Sequence, residues 1–109
     1  MDDPLRALAE PKRRAILELV AKDELSAGEI ATHFSITRPA VSQHLTVLKS
    51  AELVAERRDG TKRLYRIEPE GIAGLRQFLD GLWGAALDQA RQLVEEEAGT
   101  SAEDGRRVG

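Results

Sequence analysis

Cysteine is absent from the 109 residues of the chain, which excludes disulfides and thiolate metal centres. Aromatic residues make up only 4%, too few for the stacking surfaces on which single-strand nucleic-acid binders rely. No apolar run approaches the roughly 20 residues needed to cross a bilayer. The first residues, Met1-Asp2-Asp3-Pro4, lack the basic-then-apolar plan of a secretory leader. A cytoplasmic protein without membrane association is therefore expected. Phosphate-binding glycine loops, paired-carboxylate clefts and cofactor fingerprints are also missing. Ser42 and His44 hint at a nucleophile and a base, but residues two apart on a helix face different directions. Neither catalysis nor a cofactor is expected.

Hydrophobic residues supply 41% of the chain, enough for one folded domain. The net charge is −3, an unpromising sum for a nucleic-acid partner. Partner choice depends on where charge sits rather than on its total. Residues 37–66 carry seven bases (Arg38, Lys49, Arg57, Arg58, Lys62, Arg63, Arg66) against three acids, and both flanking segments are acidic.

Helical signals dominate the first half. Pro4 to about Ala9 forms a first helix and Pro11 to about Ala21 a second, since proline suits a first helical turn. Ile16, Leu17 and Val20 recur at helical spacing. Ser26 and Glu29 have the spacing of a capping box, opening a third helix that ends near His33. Phe34-Ser35-Ile36 makes a tight connection. Thr37 caps a fourth helix with Pro39 in its first turn, and Val41, Leu45 and Leu48 form one buried stripe. The period then changes. Leu53–Arg58 and Thr61–Ile67 read as strands joined by a two-residue Asp59-Gly60 turn. A long helix follows from about Glu70 to Glu97. Residues 99–109 read as a disordered tail. The expected fold is mainly α with a β-hairpin wing. It is a winged helix-turn-helix within residues 1–98, with a long C-terminal helix for dimerisation.

The third and fourth helices have the division of labour of a helix-turn-helix, whose second helix enters the DNA major groove. Opposite the buried stripe lie Arg38, Ser42, Gln43, Thr46 and Lys49. Arg38 can pair with guanine and Gln43 with adenine. Thr37, Ser42 and Thr46 suit phosphates or base edges, and Lys49 suits a phosphate. Arg57, Arg58, Lys62 and Arg63 crowd one hairpin and call for a counter-charge from outside, which phosphates supply. Double-stranded DNA is the expected partner. A winged helix serving only protein–protein contact is the alternative, but it favours an apolar face where this one is polar.

Three runs carry a family resemblance: LRALAEPKRRAILEL (Leu5–Leu19), RPAVSQHLTVLKSAELV (Arg38–Val54) and RRDGTKRLYRI (Arg57–Ile67). Together they resemble the ArsR-type winged-helix repressors, over most of the chain up to about residue 94. The resemblance implies a homodimer at an inverted-repeat operator, commonly in its own promoter. Glu52 departs from it, because the family usually has glycine there, and only a modest backbone effect is expected. Many members sense metals through cysteine or through His/Asp/Glu sets on the terminal helices. This chain has only His33 and His44, and none on its long helix. Carboxylates alone are poor zinc ligands, so no metal site is expected, and the resemblance is to the metal-independent branch. The signal that such a regulator answers to, small-molecule effector or none, is not written in the sequence.

The long helix is apolar around too much of its circumference for one chain to cover. Leu75, Phe78, Leu79, Leu82, Trp83 and Ala86 are expected to meet a symmetric partner. Leu5 and Leu8 of the first helix join them by resemblance.

Overall fold

The computed structural model describes residues 3–98, and the tail expected at residues 99–109 lies outside the described residues. The element order is α1 (Asp2–Ala9), α2 (Pro11–Lys22), β1 (Leu25–Ser26), α3 (Ala27–Phe34), α4 (Arg38–Ser50), β2 (Val54–Asp59), β3 (Lys62–Ile67) and α5 (Pro69–Val108). Contacts divide the chain into two units, the first ending at Arg76 and the second beginning at Gln77.

Each helix start in the first unit has a local cause. Glu10 caps α2 through its carboxylate, which accepts from the Arg13 backbone N–H at 3.2 Å. Ser26 and Glu29 close the capping box of α3 reciprocally, at 3.2 and 3.0 Å. Thr37 Oγ1 accepts from the Ala40 N–H and opens α4, with Pro39 in the first turn. Between α3 and α4 the chain reverses at Ser35, which adopts φ 55°.

One corner was illegible in the sequence. Arg13 Nε donates to the Ala7 carbonyl at 2.7 Å, and an Arg14 guanidinium nitrogen donates to the Leu8 carbonyl at 2.6 Å. The last turn of α1 thus has its unpaired carbonyls satisfied by α2.

The sheet has three strands in the order β1-β3-β2, all antiparallel. The hairpin was expected and β1 was not. Leu25 pairs with Tyr65 and Ser26 with Leu64, and two residues are too short to show a period. The turn also sits one residue later than expected. Asp59 pairs with Lys62, so the loop is Gly60-Thr61 and not Asp59-Gly60. Gly60 has φ 63° while Thr61 does not enter the positive region. A II′ turn requires positive φ at its first central residue only, whereas a I′ turn over Asp59-Gly60 would need it at both.

Ile16, Ile30, Val41, Leu45, Leu48 and Leu53 are sealed from solvent and form the centre of the first unit. Tyr65 from β3 and Leu75 from α5 close over it. The end of α4 is docked on the start of α5. The Leu53 N–H donates to the Leu48 carbonyl and the Glu68 N–H to the Leu53 carbonyl. Glu52 turns the chain with φ 61°. A Cβ on Gly71 would lie 1.6 Å from the Glu52 carbonyl oxygen, so the first turn of α5 approaches that carbonyl as only glycine allows. The expected modest effect at Glu52 is therefore a left-handed residue on a non-glycine side chain, which costs roughly 1–2 kcal/mol.

Candidate nucleic-acid interface

Burial of Val41, Leu45 and Leu48 turns the other side of α4 outward. Arg38, Ser42, Gln43, Thr46 and Lys49 are exposed there, as is Thr37 at the cap. Thr46 Oγ1 donates to the Ser42 carbonyl at 2.9 Å, which spends its proton inside the helix and leaves its lone pairs outward. An open groove of about 700 Å³ separates this face from the wing. Ser26, Thr32, Arg38, Ser42, Lys62 and Arg63 are among the residues that line it. The Arg38 guanidinium lies against Gly28 of α3, where an added Cβ would sit 3.9 Å from it.

The wing cations differ in their surroundings. Alternation along β2 and β3 places Glu56, Arg58, Arg63 and Tyr65 on one sheet face and Arg57, Lys62 and Leu64 on the other. Glu56, Arg63 and Tyr65 line a second groove with Ser42, Thr46, Lys49 and Ser50 of α4. Arg58, Lys62 and Arg63 are exposed around the turn. Arg38, Arg58 and Lys62 enter no ion pair among the described residues.

Two expected phosphate ligands already have partners within the chain. Arg57 forks onto Glu24, with Nε and a terminal nitrogen at 2.8 and 2.6 Å. That bond lowers the Glu24 pKa and raises that of Arg57. Lys49 Nζ donates to Glu56 Oε1 at 3.1 Å. The Lys49 bond, with help from Tyr65 and the nearby charge of Arg63, holds the Glu56 carboxyl below its ordinary range. Burial, then Glu56, push the Tyr65 hydroxyl upward. Not all the hairpin charge therefore waits for an external counter-ion: Arg57 is answered by Glu24, 33 residues away in sequence, and no local pattern could have announced that. Glu29 also lies low, held by the Ser26 backbone N–H.

The apolar positions expected to meet a partner fall into two groups. In the first unit Leu75 is buried within the chain itself, Leu5 is exposed and Leu8 half-buried. In the second, Leu79 is half-buried, while Phe78, Leu82, Trp83 and Ala86 are exposed, Leu82 and Trp83 by 55% and 60%. Leu87, Leu93 and Val94 continue that uncovered surface.

Helix-turn-helix, flanking hairpin and polar outer face together define a winged helix-turn-helix DNA-binding regulator. The comparisons agree. Residues 10–56 match the model of the bacterial regulatory protein family arsR. The chain is 48% identical over 96 residues to the HTH-type transcriptional regulator Rv2034 of Mycobacterium tuberculosis, covering 88% of this chain and 90% of that one. A solved "possible transcriptional regulator for arsenical resistance" superimposes with TM-score 0.69 at 44% identity, over 74% of this chain and 84% of its own. A homodimeric winged helix-turn-helix DNA-binding domain from Mycobacterium bovis gives 0.64 at 35%, over 76% and 77%. The chain belongs to the ArsR family of bacterial transcriptional regulators. It is a DNA-binding regulator and not an enzyme, and the interaction-only alternative falls away. Among the described residues no helix is long and apolar enough to cross a membrane.

Proposed function

We propose that this chain is a cytoplasmic homodimeric repressor that occupies a near-palindromic operator and blocks RNA polymerase by its presence there. The observation that carries the proposal is the exposed polar face of α4 beside the cations at the wing tip. Arg38, Ser42 and Gln43 read base edges, while Thr37 and Thr46 hold phosphates or base edges. Arg58, Lys62 and Arg63 hold the backbone. Lys49 and Arg57, the other two cations expected at phosphates, are already paired. The ion pair with Glu24 supports a bracing role for Arg57, and Lys49 reaches DNA only in exchange for Glu56.

Residues 1–98 form the DNA-binding and dimerising domain, with residues 99–109 as an appended tail. Leu5 and Leu8 on α1 contribute to self-association. Phe78, Leu79, Leu82, Trp83 and Ala86 on α5 do so as well, each large side chain supplying roughly 1.5–3 kcal/mol when covered. Leu75 supports the base of that helix from inside. Two copies related by a two-fold axis present their α4 helices about 34–36 Å apart, one turn of duplex.

The test is a gel-shift titration against the DNA flanking the gene at several salt concentrations. Binding that weakens steeply with salt and is tighter than to random duplex is expected. Absence of salt-sensitive affinity for any duplex overturns the proposal.

A further inference from the structure

Glu56 is a carboxylate in the second groove, whose other lining residues are neutral and polar or cationic. It lies on the sheet face turned toward α4, in the groove that Ser42, Thr46, Arg63 and Tyr65 also line. Its Oε1 is 3.1 Å from Lys49 Nζ, and their side chains are 25% and 52% exposed. Tyr65 and Arg63 also act on its carboxylate. A carboxylate hydrogen-bonded to a lysine, in a groove that an arginine and a tyrosine also line, has the surroundings of a backbone phosphate oxygen on a DNA-binding surface.

We infer that Glu56 is an internal stand-in for a DNA phosphate. It occupies the Lys49 end of the groove in the free protein and sets how strongly the regulator holds non-operator DNA. In random complexes the Lys49–Glu56 pair persists, so one cation is withheld from sequence-independent attraction. On the operator, α4 seated in the major groove brings a phosphate close enough to compete for Lys49. The carboxylate thus acts on specificity through Lys49. It is a positioning residue and touches no base. This role rests on the duplex-binding reading above and would make Glu56 a discriminator within it.

The experiment measures affinity for random duplex and for operator across about 50 to about 200 mM salt, for the wild type and for Glu56→Gln. The variant keeps the shape of the side chain and a hydrogen-bond acceptor but removes the charge. Freeing Lys49 for one more phosphate steepens the salt slope on random duplex by about 0.9, which widens the affinity ratio across that range about 3.5-fold. Operator affinity rises less, so the specificity ratio falls. In a Lys49→Gln background the same substitution loses this effect. Glu24→Gln removes an equal charge from the opposite sheet face and is expected to steepen the slope less. Thermal melts of each variant establish that it is folded.

An unchanged slope in Glu56→Gln, or an equal change in Glu24→Gln, overturns the inference while leaving duplex binding intact. So does a uniform loss of affinity for both DNAs, which would mean that Glu56 merely supports the wing. A wild-type protein without salt-sensitive binding overturns the duplex-binding reading, and this inference with it.

Discussion

The exposed face of α4 and the exposed face of α5 beyond Gln77 are both left uncovered by their own units, with opposite chemistry. The outer side of α4 is Arg38, Ser42, Gln43, Thr46 and Lys49, groups that water solvates at no cost until a better partner arrives. The outer part of α5 exposes Phe78, Leu82, Trp83, Leu87, Leu93 and Val94. So many exposed apolar side chains are unfavourable in water, which supports the proposed site of association. On the proposed reading, one face serves a charged, reversible partner and the other a partner that stays. The proposal would put sequence-specific grip and self-association on different helices, and the Glu52–Gly71 contact joins the end of α4 to the start of α5.

Substitutions on each face, and where α4 meets α5, test this division. The largest effect belongs to that contact. Gly71→Val forces a side chain onto the Glu52 carbonyl and is expected to cost about 3 kcal/mol, read as a lowered midpoint in urea or thermal unfolding. A variant as stable as the wild type would mean that α5 starts elsewhere. Next, Gln43→Ala on the polar face should lose about 1–3 kcal/mol of operator affinity at one base position with unchanged thermal stability. On the apolar face, Leu82→Glu with Trp83→Glu should give a folded monomer by sedimentation. A persistent dimer would move the interface off α5.

Glu52→Gly should stabilise the protein by roughly 1 kcal/mol by relieving the left-handed residue, offset in part by the added freedom of the unfolded chain. The smallest effect concerns acid. Glu24, Glu29 and Glu56 all have folded pKa values lowered by their partners. Their contribution is therefore complete above the ordinary carboxylate range and is lost as pH falls through the lowered values. Melts at decreasing pH should show the decline in the wild type and a shallower one in Glu24→Gln.

Much of the α-helical framework could be read directly because its causes are local. The Ser26/Glu29 capping box, the Thr37 cap and the Val41/Leu45/Leu48 stripe each involve residues three or four apart, and Pro11 and Pro39 need only a first helical turn. The outward position of Arg38, Ser42, Gln43, Thr46 and Lys49 follows from the same periodicity. The hairpin was recognisable from Gly60, but its turn was displaced. Asp59 and Gly60 both tolerate positive φ, and only pairing of Asp59 with Lys62 decided between the two placements.

The helix-turn-helix, the wing, the polar outer side of α4 and the apolar excess of α5 are thus written in the order of residues. Helical period, capping and strand alternation depend on neighbours along the chain. Tertiary structure alone decided that Leu25-Ser26 would become a third strand, that Arg57 would fork onto Glu24 and Lys49 onto Glu56, and that a left-handed Glu52 would meet a glycine nineteen positions on. Those outcomes depend on which distant segments the buried core brings within a few ångströms, and no spacing along the chain encodes such proximity.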